Sequence, residues 1–161
     1  MAADIKAKFG TSNQAITCTL ASLANNGARQ STEVDNSTNL FLDALVFLNI
    51  ASPAASTSST GFVNIYAYGT VDGGTNRTEN AGATDAAITL TVPPNARLIG
   101  VINVVANSVT YKAGPFSVAA AFGGVVPEKW GIIVENKTGG TLNATEGNHF
   151  KAYQGVLAQS T

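Results

Sequence analysis

Charge is scarce in this chain. Asp, Glu, Lys and Arg make up 12% of it, about half the usual share of roughly 25%. The net charge is −1 and the basic residues are scattered from Lys6 to Lys151. Phosphate recognition depends on clustered cations that release counterions, so no nucleic-acid partner is expected. There is one cysteine, Cys18, which excludes an internal disulfide and predicts a buried thiol acting as a small hydrophobe. There is one histidine, His149, which cannot supply the several His or Cys ligands of a zinc site. The longest apolar run, Val118 to Val126, is broken by Gly123 and Gly124 and falls far short of a membrane span. The start, Met1 to Phe9, has no apolar stretch of signal-peptide length, so synthesis in the cytosol without export is expected.

Thr, Ser, Asn, Gly and Ala are abundant instead, and they set out short strands. Ile16, Cys18 and Leu20 alternate with Thr17 and Thr19, the period of two that puts one set on a core face. Asn39 to Ile50 is apolar at nearly every position and predicts a strand covered on both faces, with a helix as the alternative for so Leu-rich a segment. One face would carry Leu40, Leu42, Ala44, Val46, Leu48 and Ile50, the other Phe41, Leu45 and Phe47. Phe62 to Thr70 alternates cleanly and runs into Asp72-Gly73-Gly74, which has the chemistry of a tight turn. The polar stretch Asn76 to Asp85 reads as an exposed excursion. Further strands are predicted at Ala87 to Val92, Arg97 to Val105, Val109 to Ala113, Trp130 to Glu135 and His149 to Leu157.

This spacing predicts an all-β fold: a two-sheet antiparallel sandwich, jelly-roll-like, of about eight or nine strands. Residues 13–161 form one domain in this reading, and residues 1–12 form an N-terminal arm that is disordered until it meets a partner.

The raw materials of catalysis are sparse. No nucleophile stands beside a base, and the acidic residues fall in separate turns or strand ends, so no enzyme activity, catalytic residue, metal or cofactor is expected. Asp72-Gly73-Gly74 lacks the Lys and helix of a phosphate loop. Two sets of residues remain as candidates. Ile5, Phe9, Phe116, Phe122, Val125 and Val126 are candidates for a partner interface, the first two in the arm and the others beside Gly123 and Gly124. Tyr66, Tyr68 and Trp130 are candidates for stacking on a glycan ring, provided that they are exposed together.

Three stretches, "NIYAYGTVDGG" from Asn64, "AITLTVPPNARLIG" from Ala87 and "GPFSVAAAFGGVVPEKWGIIVENKT" from Gly114, resemble a family of small virion-associated structural proteins of tailed bacteriophages. The likeness spans roughly residues 30–157 and transfers no site. It implies a virion structural protein: a capsid cement or decoration protein bound to the major capsid protein, or a tail or fibre component that binds a host-surface glycan or receptor. A homo-oligomer, dimer or trimer, is expected with either role, since the charge-poor surface favours self-association.

Overall fold

Two long alternating segments lie at the centre of one sheet. Phe62–Thr70 (β6) and Lys129–Lys137 (β10) pair antiparallel from Phe62↔Lys137 to Thr70↔Lys129. Their inward residues Val63, Ile65, Ala67, Trp130, Ile132 and Val134 meet Ala44, Val46, Leu48 and Ile50 of Asp43–Ala51 (β5) from the facing sheet. Covering a Val, Leu or Ile side chain completely is worth about 1.5–3 kcal/mol, so this double row dominates the stability.

The structure is a computed structural model that describes residues 4–160. The other strands are Ile5–Phe9 (β1), Gln14–Ala15 (β2), Ala28–Gln30 (β3), Val34–Asp35 (β4), Ala86–Ile88 (β7), Arg97–Asn103 (β8), Thr110–Ser117 (β9) and Phe150–Ser160 (β11). One sheet runs β1-β11-β5-β9 with β2 also on β11; the other runs β7-β3-β10-β6-β8 with β4 also on β10. The sheets pack face to face as an all-β antiparallel sandwich. Joining β1 to β2 and β3 to β4, and setting β7 aside, leaves eight strands ordered 1-8-3-6 and 2-7-4-5. That is the jelly-roll arrangement of two Greek keys.

Several expectations change in detail. Eleven strands are present among the described residues rather than eight or nine, because β1 to β4 are unexpected, while the strand expected at Ala87 to Val92 shortens to β7 and the one expected at Ile16 to Leu20 does not form. Ile16, Cys18 and Leu20 are buried in alternation, but their backbone is in no ladder. The segment crosses between the sheets: the Ile16 amide donates to Lys151 O, and Thr17 O accepts from the Thr32 amide. Leu40 and Leu42 precede β5 and are exposed, and on the outward face of β5 Leu45 is half-buried and Phe47 exposed. The arm is not free over its described length, since β1 pairs with β11 from Ile5↔Ser160 to Phe9↔Val156. Residues 1–3 of the arm lie outside the described residues.

The opposite sheet is covered by its own chain. Residues 71–96 fold back over its outer face, where Ala81, Ala96, Ile88 and Leu90 pack on Tyr66, Tyr68, Ile133 and Ala28. Tyr68 donates its hydroxyl to Ser31 O at 2.7 Å. Its ring lies so close over β10 that a Cβ on Gly131 would stand 2.5 Å from it, which is why that position has no side chain.

Candidate functional site

The titratable groups serve the fold. His149 is buried; its Nδ1 accepts from the Ala51 amide and its Nε2 faces Asn143 O, a pattern that suits the neutral ring. Burial lowers its pKa accordingly. Burial, helped by the nearby Asp85 charge, pushes the Cys18 thiol up to about 12, so it is inert as a nucleophile. Among the described residues no three His, Cys, Asp or Glu side chains gather as metal ligands.

Three carboxylates fasten loops. Asp85 takes the Arg29 Nε–H at 2.5 Å and the amide and hydroxyl of Thr19 at 3.0 and 2.6 Å. Glu146 takes the amides of Leu20 and Ala21, each at 2.8 Å, and pairs with Lys151. Glu79 is buried at φ 64 inside the excursion and accepts from the amides of Thr91, Asn95 and Ala96. Burial opposes the charge in all three, yet the donors outweigh it and hold each carboxyl below the ordinary range.

The glycan candidates do not form a platform. Trp130 and Tyr68 are fully buried, and Tyr66 nearly so. Trp130 stands edge-on to Tyr153, with ring centroids 5.1 Å apart. Tyr66 lies in a groove of about 630 Å³ also lined by Leu90, Pro94, Glu135 and Lys137. Its hydroxyl and the Asn64 amide both donate to Glu135, which pairs with Lys137 at 3.0 Å. These polar groups bond one another and present no ring face for stacking.

The partner-interface candidates divide. Phe116 is half-buried and points inward, against the backbone of Gly100, and Val126 is buried in the core. Phe122 is half-buried and lines a cavity of about 410 Å³ with Val71 and Pro127. Ile5, Phe9 and Val125 are 78%, 60% and 62% exposed.

The topology brings these three to the same end of the sandwich. Loops 36–42, 71–77 and 118–128 all turn there, stitched by the Asn36 amide to Glu128 O, the Val126 amide to Leu42 O, and the Gly73 amide to the Glu128 carboxylate. β1 and the last residues of β11 run past the start of β5 as a two-stranded ribbon on the same side. Leu40 and Val71, 71% and 83% exposed, complete the group with Leu42.

Leu40 is held there against its own preference. Its φ is 53, a left-handed conformation that costs a residue with a Cβ about 1–2 kcal/mol. The buried Asn36 imposes it: its carbonyl takes the Leu40 amide at 2.9 Å, and its side chain bonds both the amide and the carbonyl of Phe41. Sequence reasoning missed Leu40, Leu42 and Val71, because the first two merge with the strand pattern of β5 and Val71 continues that of β6. The available signal was the run Asp35 to Asn39, whose turn-forming composition marks a loop before Leu40.

Comparison with family models, curated proteins and solved structures finds no match to this chain.

Proposed function

We propose that this protein is a non-enzymatic structural component of a phage particle, a capsid decoration protein that attaches to the major capsid lattice. The observation that carries the reading is the loop end of the sandwich, where Ile5, Phe9, Leu40, Leu42, Val71 and Val125 are exposed together. Exposed apolar groups of this extent mark interaction sites, and the strained backbone of Leu40 argues that its side chain is presented for a purpose. The resemblance of Asn64–Gly74, Ala87–Gly100 and Gly114–Thr138 to virion-associated proteins supplies the setting. The role calls for assembly in the host cytoplasm and residence on the virion. A chain bound at many equivalent sites stabilises a shell through repeated modest interfaces. The alternative, a tail or fibre component that binds a glycan, has less support, because Trp130 and Tyr68 offer no ring to a sugar.

The test is the copy number of the chain in purified particles by quantitative mass spectrometry. Hundreds of copies are expected; a handful or a few dozen would overturn the capsid role. In the same assay, Leu40→Asp with Val125→Asp should fold normally and load poorly, and full loading would discard the loop end as the attachment site.

A further inference from the structure

A second apolar surface is the outer face of the β1-β11-β5-β9 sheet, where Phe47 and Phe150 are exposed, Leu45 is half-buried, and Ser12 and Asn13 border a pocket with Leu45, Phe47 and the buried Ala152. Directly opposed residues of an antiparallel pair share a face, so the register assigns it. Leu45 and Phe47 of β5 lie beside Gln154 and Ala152 of β11, with Phe150 and Val156 further along. Phe9 and Ile5 of β1 continue the surface beyond Val156. Among these strand positions the face carries two charges, Asp43 at the start of β5 and Lys112 opposite Asn49 near its end. Asp43 accepts only from neutral donors: the Ser117 hydroxyl at 2.7 Å and the amides of Ala44 and Ala119 at 2.7 and 2.9 Å. Lys112 is exposed, and among the described residues neither charge has an ion-pair partner.

We propose that this face binds the same face of a second copy of the chain, about a two-fold axis lying between the sheets, perpendicular to the strands and level with Val46. The positions of the two charges select this occupant. Asp43 and Asn49 are equidistant from Val46, each about 10 Å away along the strand. Lys112 is level with Asn49 on the neighbouring strand. The rotation therefore sets Asp43 of each copy opposite Lys112 of the other, forming two ion pairs across one interface. It also sets Phe47 over Leu45 of the second copy. Phe9, level with Val156 and Asp43, comes beside the second copy's Phe150, level with Asn49.

Self-complementarity of this kind is what an isologous interface requires. Sheets packed face to face stand about 10 Å apart, within reach of a lysine and an aspartate together. Four strands about 4.8 Å apart and nine residues long give on the order of 1,000 Å² over both copies, before the ribbons are added. That is the low end of specific interfaces and predicts a dimer that dissociates on dilution.

Sedimentation equilibrium of the full chain over a wide concentration range tests the proposal. The wild type should show a monomer–dimer equilibrium. Lys112→Asp should weaken it by roughly tenfold or more, since it places like charges together. Asp43→Lys should do the same, and the double variant should recover dimerisation, because the exchange restores opposite charges. If Asp43→Lys does not fold, Asp43→Asn keeps the neutral hydrogen bonds while removing the charge, and it should weaken the dimer in proportion. A wild type that is monomeric throughout, or a folded double variant no better than Lys112→Asp alone, would overturn the proposal. A dimer insensitive to all of these charges would also overturn it. The two surfaces share Ile5 and Phe9, but Leu40, Leu42, Val71 and Val125 belong to the loop end alone: a monomeric chain that still loads particles removes the dimer and leaves the attachment reading standing.

Discussion

The two sheets of this sandwich have apolar outer faces, and the chain treats them differently. On the β10-β6 side, Tyr66, Tyr68 and Ile133 are covered by residues 71–96 of the same molecule. On the β11-β5 side, Phe47 and Phe150 stay exposed and Leu45 is half-buried. One face is closed within the molecule, and the other is available to a neighbour. The difference lies in the connections. The chain inserts a long segment between β6 and β8 and clamps it with Glu79, while on the other sheet the short β1–β2 connection, with Ser12 and Asn13, borders Leu45 and Phe47 and leaves Phe47 exposed.

The largest test of this contrast is Tyr68→Ala. It empties a fully buried aromatic site and removes a hydrogen bond to Ser31 O, so chemical denaturation should show a loss of about 3–5 kcal/mol. Glu79→Gln comes next. The new amide group turns a donor toward backbone N–H groups, which should cost about 2 kcal/mol and speed hydrogen exchange in residues 71–96 ahead of the rest.

This substitution also has a pH signature. Glu79 is held below the ordinary carboxyl value, so its contribution is complete above the unfolded value, near pH 4, and is lost as pH falls through the folded one. Asp85 and Glu146 act in the same direction. Stability measured by urea unfolding should therefore drop below about pH 4, and drop less in Glu79→Gln than in the wild type. The smallest expected effect is Phe47→Ser, about 1 kcal/mol in dilute solution, since its ring is part-covered. A cost approaching that of Tyr68→Ala would mean that the two faces are not so different.

Much of the fold was legible in the sequence because burial writes alternation. Phe62–Thr70 was bounded as a strand from end to end, and β10 and β11 were found within a few residues. The same signal misled at Ile16 to Leu20, since alternation reports which side chains are buried and says nothing of backbone pairing. β3 and β4 are too short to show any period and exist through their pairing with β10. The excursion looked uniformly exposed, because a carboxylate buried to receive backbone amides, as at Glu79, leaves no apolar mark. At β5 the pattern predicts cover on both faces. A face covered by its own chain and a face awaiting another molecule carry the same kinds of residue. Of the candidate surface, Ile5, Phe9 and Val125 were exposed as their place in arm and glycine loop suggested, whereas Phe116 and Val126 were drawn inward by the sandwich.

The strand pairing has a consequence for the order of assembly. Phe62 pairs with Asn103, Ile50 with Tyr111, Gln30 with Ile133 and Ile5 with Ser160, and each pair is centred within a few residues of Gly82. The whole polypeptide is thus one long hairpin, doubled over and wrapped into two sheets, with the excursion as its tip. Closing a loop costs more entropy the longer it is, so pairing is cheapest to begin near that tip and to proceed outward like a zip. The ribbon of β1 and β11 spans the largest separation and closes last.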